Sequence, residues 1–270
     1  VPRYVRVATE DGPRYGVLEG TEVVLIEPHP FVPHSPTGTR LGLAGLRLLA
    51  PVIPSKVVCV GRNYAAHAEE LGNSVPMPDS DETLFFLKPS SSVVGPGEPI
   101  LLPTDLSSEV HHEAELAVVI GKLLSRVSPE QALDGIFGYT AANDVTARDL
   151  QRTEGQWFRA KGFDSFCPLG PAITTDLDTS DLSLKCLVDG EVRQDGTTAD
   201  LLVGIAELVS RASHVMTLLP SDVVLTGTPA GVGPITPGQV VAVDLEGVGV
   251  LTNPVVDRMP SAASSNGSDA

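Results

Sequence analysis

At 270 residues the chain is long enough for one large domain, or for a large and a small one. It carries 34 acidic against 18 basic residues, a net charge of −16, which argues against a nucleic-acid surface. No run approaches the roughly 18 apolar residues of a membrane helix, and Cys59, Cys167 and Cys186 form no CxxC pair, which excludes a zinc knuckle or a thioredoxin motif.

Residues 1–53 hold short β-like pieces (4–8, 15–18 and 22–26) and a Pro-rich loop over 28–37, read as a small N-terminal domain. Residues 54–257 form the main body. Within it, 56–60 reads as a buried strand and 63–71 as a short helix ended by Gly72. A strand over 84–87 leads into Lys88-Pro89, and Ser128 caps a helix starting at Pro129. Residues 182–188 and 191–194 read as a hairpin joined at Asp189-Gly190. The longest helix is expected over 204–219, with apolar residues at helical spacing. β-structure returns over 223–256, and residues 258–270 read as a flexible tail. The layout is α+β, mostly β, without the βαβ alternation of a Rossmann or TIM fold.

The chemistry concentrates in HHEAELAVVIGK (111–122) and AANDVTARDLQ (141–151). An apolar run from Leu116 to Ile120 marks a strand, and residues two apart on a strand share a face. Glu113 and Glu115 therefore aim at one spot. Two carboxylates side by side repel, and one takes a proton unless a cation sits between them. A hard divalent cation answers that need, with Asp144 as a third oxygen donor. Mg²⁺ is the expected ion, with Mn²⁺ or Ca²⁺ as other occupants. His111 shares the strand parity of the glutamates and is expected to support the site from behind. His67 and Glu70 lie three apart on the short helix, hence on one face. No GxSxG elbow or P-loop is present. The low cysteine density fits a reducing cytoplasm.

Seven stretches, among them CVGRNYAAHAEELG (59–72), FLKPSSSVVGPGEPI (86–100), HHEAELAVVIGK, GYTAANDVTARDLQ (138–151), RAKGFDSFCPLGP (159–171) and LTGTPAGVGPITPGQVV (225–241), occur in the order found in one family. The chain resembles the fumarylacetoacetate hydrolase superfamily, especially its short acylpyruvase-like and homoprotocatechuate-pathway members of aromatic catabolism. The resemblance implies a mixed β-sandwich roll, a small N-terminal domain and a homodimer. It implies metal ligation by Glu113, Glu115 and Asp144, and activation of water by His67 with Glu70 on a mobile lid hinged at Gly61 and Gly72. It further implies substrate contacts from Arg148 and Thr228, catalytic donors at Gln151 and Lys161, and Lys88 near the substrate carboxylate. Lys161 beside a cation is expected to lose proton affinity. The implied function is C–C hydrolysis of a small 2-oxo acid with a second carbonyl, through an enolate that the metal stabilises. Isomerisation of a 2-hydroxyhepta-2,4-diene-1,7-dioate, decarboxylation of the related carboxymethyl dioate or of oxaloacetate, and a catalytically silent metal-binding scaffold are the alternatives.

Overall fold

The computed structural model describes residues 1–75 and 83–258. The expected flexible tail lies outside the described residues, apart from Arg258. That residue is tied to Asp105 at 2.7 Å and to the Leu102 carbonyl at 2.9 Å.

The chain is mostly β, as expected. One long sheet runs in the order Ser35–Gly42, Glu22–Glu27, Gly12–Glu19, Arg3–Thr9, Cys167–Thr174, Ile136–Asn143, Ala114–Ile120, Val223–Leu225, Val57–Gly61 and Leu84–Lys88. Its N-terminal strands join the body directly, because Arg3 and Tyr4 pair with Thr174 and Ile173. A second sheet orders Glu191–Thr197, Ser183–Val188, Val240–Leu245, Gly249–Asp257 and Ile100–Leu102. Between them lies the main core, in which Leu116, Val118, Leu184, Val243 and Leu251 are buried together. The strand Ala114–Ile120 is buried at all seven positions. That explains its continuous apolar run: both faces are covered.

Local chemistry sets the expected turns and caps. Ser128 and Gln131 form a reciprocal capping box on Pro129–Asp134. Asp189 and Gly190 take φ of 52° and 83°, which suits a tight hairpin. The longest helix is Ile205–Val215, shorter than 204–219, because the chain turns extended at Met216. The helices Arg148–Thr153 and Phe158–Lys161 were not foreseen. Each is too short to show a helical period.

Candidate active site

The strands Val57–Gly61, Ala114–Ile120 and Val223–Leu225 are neighbours in the long sheet, and their continuations open onto one cavity of about 290 Å³. That is close to the small end of ligand pockets. Glu113, Glu115, Asp144, Arg148, Gln151 and Lys161 line one side of it, and His67 another.

Glu115 sits on the strand Ala114–Ile120, and Glu113 lies just before it, where Val110–His112 ends. Asp144 follows the strand Ile136–Asn143. Its N–H donates to the Glu113 carbonyl at 2.8 Å, and Asn143 Oδ1 accepts the Glu113 N–H at 2.9 Å. These bonds set the acidic side chains together: one oxygen from each of Glu113, Glu115 and Asp144 lies within 4.8 Å of the others. All three residues are buried.

Buried carboxylates need partners. Glu113 has two. Arg148 donates to Oε1, and Lys161 Nζ lies 2.8 Å from Oε2. Burial pushes the Glu113 carboxyl up, but Lys161 and Arg148 outweigh it and hold the group well below the usual range. Asp144 Oδ2 accepts from Lys161 at 2.6 Å. Among the described residues Glu115 takes only a backbone donor, the Gly227 N–H at 2.6 Å. Burial, with the charges of Asp144 and Glu113, pushes its carboxyl well above the ordinary value. The set thus keeps one carboxylate without a cation, and Asp144 Oδ1 hydrogen-bonds to nothing. Three hard oxygen donors with that deficit fit a divalent cation.

Gly227 earns its position. At φ 101° its backbone is left-handed, and a Cβ there would lie 2.9 Å from that of Asn63.

Lys88 does not reach the cavity as a substrate contact would. It is fully buried, and its three ammonium hydrogens go to the carbonyls of Val145 (2.9 Å), Lys161 (2.7 Å) and Phe166 (2.7 Å). Asp144 Oδ1 is 2.8 Å from Nζ, a charge contact rather than a hydrogen bond, since no donor is left for it. Lys88 ties together the segments that carry Asp144 and Lys161. With no cation beside it, burial lowers the proton affinity of Lys161, yet Asp144 and Glu113 more than compensate, so it is raised. Lys161 is therefore a held ammonium, seated 4.8 Å from the centre of the Phe86 ring.

Arg148 gives one nitrogen to Glu113 and another to Gln151 Oε1 at 2.5 Å, which leaves the amide end of Gln151 as a donor. The Thr228 hydroxyl donates to the Ala114 carbonyl at 2.8 Å and accepts from Gln194 Nε2 at 2.7 Å. Its proton is thus already committed. Gln194, fully buried, also accepts the Ala114 N–H at 3.0 Å and lies 3.0 Å from His112 Nδ1. Neither Gln194 nor His112 was singled out from the sequence. Gln194 lies in a hairpin strand 82 residues from His112, and nothing local marks it. His111 Nε2 lies 2.9 Å from Glu109, which also pairs with Arg152 at 2.6 Å.

The opposite wall is looser. His67 is buried, and burial, only partly offset by Glu113, lowers its pKa, so the ring is neutral at pH 7. Glu70 Oε2 lies 3.5 Å from His67 Nδ1, and that nitrogen makes no hydrogen bond. Both Glu70 oxygens instead accept the Gly231 N–H at 3.1 Å. Gly61 leaves no room for a side chain: a Cβ there would lie 3.0 Å from the Trp157 ring. Two residues on, Asn63 is clamped: Nδ2 donates to the carbonyls of Val203 (3.0 Å) and Thr226 (2.9 Å), and Oδ1 accepts the Val203 N–H (2.8 Å). Cys59 and Cys167 pack in the core, and burial pushes the Cys167 thiol up to about 12.

Comparison with known proteins places this geometry. Residues 56–256 match the family described as fumarylacetoacetate (FAA) hydrolase C-terminal, and residues 3–51 match that described as Rv2993c-like, N-terminal. Protein Rv2993c of Mycobacterium tuberculosis is 48% identical over 266 residues, spanning 95% of this chain and 98% of that protein. The crystal structure of a 5-carboxymethyl-2-hydroxymuconate delta-isomerase from Mycobacterium smegmatis aligns with a TM-score of 0.88 at 49% identity, covering 95% of this chain and 100% of that one. A mitochondrial oxaloacetate decarboxylase of Dictyostelium discoideum is 44% identical over 200 residues, 72% of this chain and 89% of that protein. A buried carboxylate triad, at the ends of central strands in a fold shared over almost its whole length, thus belongs to a chain of the fumarylacetoacetate hydrolase family.

Proposed function

We propose that the protein cleaves the C3–C4 bond of a small 2-oxo acid whose C4 is an electrophilic carbonyl carbon, releasing pyruvate by way of its enolate. The observation that carries this reading is the buried triad of Glu113, Glu115 and Asp144 facing the same cavity as a neutral His67. In this reading the triad holds Mg²⁺, with Mn²⁺ or Ca²⁺ as substitutes. A bound divalent cation supplies Lewis acidity toward the 2-oxo group and offsets the charge that grows on its oxygen.

The residues then divide the work. Neutral His67 takes a proton from water as the water oxygen bonds to C4. Glu70 orients the imidazole once the 3.5 Å gap closes to hydrogen-bond length. The Lys161 ammonium and the Gln151 amide stabilise oxyanion charge as donors fixed in advance. The C3–C4 bond breaks with its electron pair passing to C3, and the proton held by His67 returns to that carbon. Arg148 holds Glu113 and Gln151 in place and presents its remaining face to the substrate. Thr228 offers its backbone N–H to the substrate carboxylate, since its hydroxyl proton is committed.

Decarboxylation of oxaloacetate breaks the same C3–C4 bond and leaves the same enolate without any water. Its support is the identity with a protein named oxaloacetate decarboxylase. Isomerisation is a second reading, supported by the likeness to a named delta-isomerase and by a His67 that needs no aligned Glu70 merely to move a proton. A panel of acylpyruvates, fumarylpyruvate, oxaloacetate and 2-hydroxyhepta-2,4-diene-1,7-dioate, assayed with Mg²⁺, tests the proposal. Pyruvate from the first three supports C3–C4 cleavage. Turnover of the dioate alone, without bond cleavage, sinks it. The homodimer belongs to this reading and is checked by light scattering.

A further inference from the structure

Arg62 has no part in the reaction set out above, yet it lines the same cavity as His67, Arg148 and Glu115. It follows directly on the strand Val57–Gly61. Its backbone is left-handed, at φ 62°, a region that non-glycine residues enter at a steric cost. The clamp on Asn63 fixes the chain on one side and the strand pairing of Gly61 with Leu84 fixes it on the other. Arg62 is therefore held in this conformation rather than resting in it.

Its guanidinium is equally unusual. Nε is buried with no acceptor, and among the described residues Arg62 enters no hydrogen bond or ion pair. The other cations lining the cavity each have a carboxylate. Arg148 has Glu113, Arg152 has Glu109, and Lys161 has both Glu113 and Asp144. Deeper in, Glu113 and Asp144 already meet Arg148, Lys161 and Lys88, and Glu115 takes the Gly227 N–H, so no triad carboxylate answers Arg62. Arg62 is half-buried, but its Nε is shut away without an acceptor, which is costly, and a strained backbone that holds it at a cavity persists where a ligand needs it.

The geometry points to Arg62 as the residue that takes a second carboxylate at the far end of the substrate. The site then selects 2-oxo dicarboxylates over 2-oxo acids that end in an uncharged group. This rests on the 2-oxo acid reading above. Guanidinium is suited to the task, because its fork of donors matches a carboxylate in two places. A site built around such a pair rejects a ligand that leaves the donors unmet.

Arg62→Asn is the informative variant. Asn is among the residues best tolerated at positive φ, so it removes the charge without adding strain. Calorimetry on the full chain with Mg²⁺ compares 2-oxoglutarate with 2-oxopentanoate, which differ only in the terminal carboxylate. Steady-state kinetics compares fumarylpyruvate with acetylpyruvate. The wild-type protein should favour the dicarboxylate of each pair. In Arg62→Asn that preference should fall by about 10- to 100-fold, carried by KM rather than kcat. Arg62→Lys, which keeps the charge without the fork, should recover part of it. No dicarboxylate preference in the wild type, or an equal loss for both members of a pair, overturns the proposal. If no 2-oxo acid is turned over, the reaction assigned above fails, while the calorimetric ratio still decides the role of Arg62.

Discussion

The two walls of the cavity differ in how completely they are built. On the acidic wall Glu113 meets two cations, Asp144 is held by Lys161, and Lys88 ties three carbonyls beneath them. On the other wall His67 Nδ1 is unbonded, Glu70 rests on Gly231, and the Arg62 guanidinium has no partner among the described residues. One wall is organised before any ligand arrives. The other leaves its donors and acceptors open for a ligand to complete, and this division separates binding from chemistry.

The contrast breaks first on the acidic wall. Glu115→Gln should lower metal affinity by more than about 100-fold and remove turnover. Because the buried Glu115 carboxyl is pushed well up in the metal-free protein, glutamine imitates its protonated form. The metal-free melting temperature should therefore hold while the rise caused by Mg²⁺ disappears. Full activity in EDTA would contradict this assignment.

On the open wall His67→Ala should leave metal affinity in place and cut acylpyruvate cleavage by about 10²- to 10⁴-fold. Isothermal titration and product assays on the same preparation separate the two effects. Normal cleavage by that variant rules out His67 as the base.

Lys88→Met tests what lies beneath the organised wall. It strands three buried carbonyls and takes one of two cations from Asp144, so unfolding in urea should show a loss of about 3–5 kcal/mol. A change within 0.5 kcal/mol, about the scatter for surface substitutions, would show that the ammonium is not holding these segments.

The smallest effect is the share of one histidine in the pH dependence. Burial lowers the pKa of His67, His111 and His112 below the unfolded value. Below about pH 6.5 the unfolded chain then binds protons that the native state refuses. Stability is full above that pH and falls on acidification, by up to about 1.4 kcal/mol per pH unit for each histidine. Denaturant melts between pH 7 and 5 check the sign. His112→Gln should flatten the slope by one histidine's share.

The organised wall was the more legible in sequence. Strand parity placed Glu113 and Glu115 together, and the run to Ile120 announced a strand. The Ser128 cap and the Asp189-Gly190 turn were legible because both are local. Lys88 was misread because its partners are carbonyls at 145, 161 and 166, which no side-chain pattern reveals. Gln194 and the one-turn helix Phe158–Lys161 escaped for related reasons: the first acts across 82 residues, and the second lacks a period. That Arg62 has no partner among the described residues shows only once every neighbouring ion pair is known.

The pairing of Arg3–Thr9 with Cys167–Thr174 has a practical outcome for anyone trimming the chain. Cutting away the first fifty or so residues would not free a tidy module. It would bare the backbone of Ile173 and Thr174, which Tyr4 and Arg3 now pair, and Ala172, which packs with Val5 and Val7, only two strands from the one bearing Glu115. Such a truncated protein should stick to itself through that raw border and come out of the cell in aggregates, with its catalytic half misplaced rather than merely shortened.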